Sequence, residues 1–231
     1  MNNDKMKVTE HLQELRKTVI ISAAAIFICS AAVLLFSGKI LTFLTDKEGY
    51  TFMYTSPEMI AAQQLKISVI CGIIISLPVT VTAVWKFICP AMNKKERRMV
   101  RLAFGTGLFL FFCGTVFAFA VIFPVMLRFF KSIECAGIEA YISISEYIGF
   151  LITVCIIFGA AFELPIVMIC LDSAGIVRRE KFAEIRKYAV VVIFFVSALI
   201  TPSDVFSMII TAAPIILIYE AGIAVMRLRN H

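Results

Sequence analysis

A chain of 231 residues that is 61% hydrophobic and only 16% charged, with a mean hydropathy of +0.94, is too apolar for an ordinary soluble domain. The net charge of +6 does not signal nucleic acid, because the cations are confined to short segments beside apolar runs. Seven cysteines show neither zinc-ligand spacing nor a CxxC pair, which argues against a zinc centre or a thioredoxin-like redox motif.

Before the first apolar run, Val8, Leu12, Leu15 and Val19 recur at steps of four, three and four. That stripe predicts an N-terminal amphipathic helix on the cytoplasmic surface, with Glu10, Gln13, Glu14 and Lys17 on its polar side. The run at 18–37 is long enough to span a bilayer and too long for the apolar part of a signal peptide. Further runs at 66–85, 102–127, 147–171, 188–201 and 205–226 bring the expected count to six transmembrane helices. Each must be helical, since lipid offers backbone N–H and C=O groups no partner. The run at 188–201 gives only ~21 Å of helix against ~30 Å of hydrocarbon. The turn Thr201-Pro202-Ser203-Asp204 follows almost at once, so the last two spans are expected to form a short hairpin. Such a pair calls for local bilayer thinning or cover from partner helices. No internal repeat or linker is visible, and residues 1–231 read as a single all-α polytopic membrane domain.

Orientation follows from the cations. Lys5, Lys7, Arg16 and Lys17 precede the first span; Lys86, Lys94, Lys95, Arg97, Arg98 and Arg101 follow the second. Arg178, Arg179, Lys181, Arg186 and Lys187 follow the fourth, and Arg227 and Arg229 end the chain. The opposite connections carry only Lys39, Lys47, Arg128 and Lys131. The imbalance puts both termini in the cytoplasm.

Topology accounts for the basic loop Trp85–Arg98 only in part, because Glu96 sits among its cations. Asn93 could cap the third span, with Glu96 closing a capping box. Glu96 nevertheless has Met99 and Val100 at i+3 and i+4, so its charge has no partner along its own helix. Glu14 has Lys17 at i+3. Two carboxylates near the cytoplasmic surface suit two guanidinium forks. Within the fourth span, Glu163 lies two residues before Pro165. An ionisable group at that depth points to function, with a protonated structural acid as the bland alternative. Glu220, near the inner interface, fits snorkelling as well as function. Asp204 fits a helix N-cap before the last span, and Ser143-Ile144-Ser145-Glu146 reads as a capping box opening the fourth.

These residues also resemble a family. His11-Leu12-Gln13-Glu14-Leu15-Arg16-Lys17 is similar to the HLxELRxR motif of TatC, the signal-peptide receptor of the twin-arginine protein translocase. Phe87, Pro90, Ala91, Glu96 and Arg97 resemble its FxxPALxxxER loop, and Phe158-Gly159 with Phe162-Glu163-Leu164-Pro165 its FGxxFExP segment. Thr201-Pro202-Ser203-Asp204-Val205-Phe206-Ser207 resembles its TPxDxxSQ turn, and Pro214, Glu220 and Gly222 its PxxxLYExG stretch. Tyr54-Thr55-Ser56-Pro57-Glu58 is similar to the stretch before its second span.

The resemblance implies a non-enzymatic receptor in the inner (cytoplasmic) membrane, free of cofactor and metal. It would bind Arg-Arg signal peptides of folded precursors at Glu14 and Glu96, with Arg16, Phe87 and Arg97 positioning the loop. Single-span partners of the TatA and TatB type would assemble around it, with transport driven by the proton gradient. Glu163, Glu220, Asp204 and Met208 are the corresponding candidates for partner docking or gating. The chain departs from the pattern at Met208, where the family usually has Gln, at Thr18 in place of a base, and in a short first outer loop.

Two rivals stand beside this reading. A secondary transporter would use Glu163 as an ion site, though no matching halves are visible. A scaffolding protein would use its acids only as caps. An enzyme has the least support: His11 and Glu14 share a metal-like spacing, but two groups do not make a site.

Overall fold

In the computed structural model the backbone is described for residues 2–46, 51–88, 94–133, 141–173, 175–177, 179–201 and 204–228. Among the described residues ten α-helices follow one another: α1 Asn2–Leu34, α2 Ser37–Thr45, α3 Pro57–Ile88, α4 Lys94–Phe117, α5 Phe123–Ser132, α6 Ile144–Phe162, α7 Leu164–Ser173, α8 Arg179–Glu184, α9 Arg186–Ile200 and α10 Val205–Leu228. A π-helical turn, Ala118–Ile122, joins α4 to α5. Two short strands, β1 Thr51–Met53 and β2 Tyr141–Ser143, pair in parallel with Thr51 opposite Tyr141. Among the described residues five stretches are long and apolar enough to cross a membrane: Gln13–Leu34, Pro57–Phe87, Arg101–Ser132, Ile144–Ser173 and Val205–Leu228. The protein is an all-α, multi-pass membrane protein. Helix α9, at 15 residues, is ~22 Å long and shorter than the ~30 Å hydrocarbon core.

The helices run further than the apolar runs do. The expected amphipathic helix and first span are one continuous element, α1. Helix α3 begins at Pro57 rather than near residue 66, because proline is favoured in a first helical turn and Glu58 suits the positive end of the helix dipole. Helix α2 occupies part of what reads in the sequence as an outer loop.

The chain divides into two compact units. The first holds residues 1–104 and 140–148, and its main packing is α1 against α3. Small residues allow that approach: Ser68, Gly72 and Ser76 recur at steps of four on α3 and are all buried. A Cβ on Gly72 would lie 2.6 Å from the Ser30 Cα, so only glycine fits there. Without a hydrophobic force between helices in lipid, such close backbone packing is the main source of association. Elsewhere in this unit the Tyr147 hydroxyl donates to the Leu44 carbonyl at 2.9 Å. Phe52 of β1 meets the Tyr147 ring edge-on at 4.9 Å, and Gln63 Nε2 donates to Ser145 Oγ at 3.0 Å. Ser145 therefore serves a contact to α3, whichever residue caps α6.

The second unit holds residues 105–139 and 149–231. Its core includes Ala118, Met126, Val154, Phe158, Ala212 and Ile215, drawn from the π turn, α5, α6 and α10. Phe117 packs against Phe158 and Phe162 with ring centroids 5.9 and 5.7 Å away. The Tyr219 hydroxyl donates to the buried Phe182 carbonyl at 2.7 Å, fastening α8 to α10.

Candidate functional site

Glu14 and Arg16 are exposed on α1, immediately before and after exposed Leu15. Glu14 forms no ion pair with any described residue, Lys17 included. Phe87 is half-buried one residue before the end of α3. Glu96 and Arg97 lie in the first turn of α4, which starts at Lys94. The side chains of Glu96 and Arg97, and the expected cap Asn93 with Pro90 and Ala91, lie outside the described residues. Helices α1 and α4 thus carry the two candidate carboxylates within residues of the first unit. A carboxylate near a helix start is favoured by the backbone dipole and stays available as an acceptor for a cationic ligand.

The second unit carries Glu163, Asp204, Met208 and Glu220. Glu163 stands at the break between α6 and α7. Pro165 has no N–H to offer the Ala161 carbonyl, and at the same break the Glu163 amide makes a tighter bond to the Ala160 carbonyl, 3.1 Å. The Glu163 carbonyl then accepts from Val167 at 3.0 Å and opens α7. Its side chain rests over Gly107 of α4, where a Cβ would come 2.7 Å from Oε2. The glycine makes the notch that lets a carboxyl group fit between the helices. Gly159 faces Phe111 and Thr115 in the same way, with a Cβ position 2.8 Å from the Phe111 ring.

Asp204 is the N-cap of α10: its Oδ2 accepts the Ser207 amide at 2.7 Å. Its other oxygen is buried with no hydrogen-bond partner among the described residues, as are the hydroxyls of Ser197 and Ser207. Met208 is half-buried one turn into α10. Glu220 is paired with Arg186 Nε at 2.7 Å, a contact no sequence spacing announces. Glu220 therefore does more than snorkel: it ties α10 to the start of α9. Among the described residues no group of three or more His, Cys, Asp or Glu converges as a metal site.

Residues 10–214 match the family described as TatC, the Sec-independent protein translocase protein. The chain is 31% identical to the Sec-independent protein translocase protein TatC of Haemophilus influenzae, over 97% of this chain and 90% of that one. It is 36% identical to the TatC protein of Aquifex aeolicus, over 94% of this chain and 93% of the relative. A crystal structure of a twin-arginine translocase receptor, TatC, superposes with a TM-score of 0.81 at 32% identity, covering 96% of this chain and all of that one.

Proposed function

We propose that this chain, which belongs to the TatC family of Sec-independent protein translocase proteins, is the receptor and core subunit of a twin-arginine translocase. Glu14 and Glu96 hold the two arginines of a precursor's signal peptide, while Arg16, Phe87 and Arg97 position the receptor surface. The chain crosses the inner membrane six times, counting the short α9, with both termini in the cytoplasm; the excess of cations in the connections on that side supports the orientation. Single-span subunits of the TatA and TatB type dock on the chain, with Glu163, Glu220, Asp204 and Met208 as candidate contacts. The proton gradient drives transport.

The observation that carries the reading is a family match spanning nearly the whole chain, with acids at both motif positions where a dibasic peptide would bind. The exposed carboxylate of Glu14, which has no ion pair among the described residues, supports it, since an acid already satisfied by Lys17 would be a poorer ligand. Export of a twin-Arg precursor in cells lacking the native receptor tests it. Wild-type chain restores export, and the Glu14→Gln, Glu96→Gln double variant does not. Equal export by the double variant contradicts the assignment. The transporter rival predicts solute uptake by the purified protein in liposomes without partner subunits, and no observation favours it.

A further inference from the structure

Trp85, the one tryptophan of the chain, stands one turn before the end of α3. The Arg101 guanidinium of α4 sits over its ring, 5.9 Å from the centroid. Phe104, three residues further along α4, meets the same indole edge-on at 5.8 Å. Residues three apart share one helix face, so Arg101 and Phe104 grip Trp85 together across the base of the α3–α4 hairpin. A cation needed only to hold a loop in the cytoplasm has no reason to be centred on an aromatic ring of another helix. Guanidinium over indole is the favoured cation–π pairing, being planar and weakly hydrated.

We propose that Trp85 and Arg101 form a positioning clamp between α3 and α4, which sets the rotation about its own axis of the helix that carries Glu96. This rests on the reading of Glu96 as a signal-peptide ligand. Glu96 lies five residues before Arg101 on the same helix, ~7.5 Å along its axis. Over so short a distance, fixing Arg101 against Trp85 of α3 also fixes the rotation of the α4 backbone at Glu96. Phe104 adds an apolar contact on the membrane side, and Arg101 holds the face nearer the loop.

The clamp makes a prediction opposite in sign to simple electrostatics. Removing a cation near a dibasic ligand should tighten binding through reduced repulsion, whereas removing the clamp should weaken it. The experiment uses the full chain in lipid nanodiscs and a dye-labelled, tryptophan-free twin-Arg signal peptide. Arg101→Gln is expected to weaken peptide binding about fivefold, and Arg101→Lys to restore most of it, as a retained cation permits. In a Glu96→Gln background the same Arg101→Gln change should cost less than about twofold, because a residue acting through Glu96 has nothing left to position. Quenching of Trp85 by acrylamide, a neutral quencher, should rise in Arg101→Gln and stay at the wild-type level in Glu96→Gln.

Unchanged or tighter binding by Arg101→Gln overturns the proposal. So does an undiminished fivefold loss in the Glu96→Gln background, which would mark a separate contribution. If Glu96→Gln itself binds the peptide as wild type does, the receptor reading is what fails. The quenching arm then still decides whether Arg101 covers Trp85. Should Arg101→Gln fold poorly, Trp85→Phe against Trp85→Leu repeats the binding comparison, with the ring-retaining variant expected to bind the tighter.

Discussion

One carboxylate oxygen of Asp204 accepts the Ser207 amide, and the other is buried without a hydrogen-bond partner among the described residues. The first is a capping role that asparagine can fill. Asp204→Asn should therefore keep the thermal stability of the purified protein, and Asp204→Ala should lower it by about 1 kcal/mol. A drop in export by Asp204→Asn at unchanged stability would assign the second oxygen to docking instead. Glu220 and Arg186 are partly exposed partners, so Glu220→Gln should cost less than about 1 kcal/mol in the same assay. The cap was legible in the sequence because a cap is local. The Arg186–Glu220 pair was not, since each residue has a sufficient local explanation and only the packing of α9 on α10 brings them together.

At the scale of elements, close packing decides what substitutions do. Gly72→Val places two methyl groups against the Ser30 backbone, and overpacking of this kind costs about 1–3 kcal/mol. Its effect should show as a lowered melting temperature in detergent, while Gly105→Ala, with open space around it, should change little. Tyr219→Phe leaves the buried Phe182 carbonyl without its donor, a loss of about 1–3 kcal/mol. Protease cutting within residues 172–187 should become faster in that variant, and unchanged cutting would show that α8 is held by other contacts. The long spans were readable because lipid demands ~20 apolar residues in a row. The β1–β2 pair was not, because its partners are separated by three helices and neither strand has enough length for an alternating pattern. The π turn at Ala118–Ile122 is equally silent, as its apolar residues fit an α-helix just as well.

For the whole molecule, composition and the placement of cations carried the class, and the motifs carried the family. The membrane class follows from energetics that any sequence must satisfy. The proposed use of Glu14 together with Glu96 is of another kind, since no periodicity connects the two helices and the proposal rests on what a dibasic ligand requires. Accessibility tags at the two ends of the chain should both be cytoplasmic, with a tag after α2 on the opposite side. The most direct test of the central claim is a binding titration of a twin-Arg signal peptide against the purified protein in nanodiscs. A charge-assisted hydrogen bond contributes about 1.5–3 kcal/mol, so Glu14→Gln and Glu96→Gln should each raise Kd by roughly 10- to 100-fold. A peptide with both arginines replaced by alanine should bind wild type and double variant alike. Kd values within about twofold of wild type for both single variants and the double would contradict a two-carboxylate receptor.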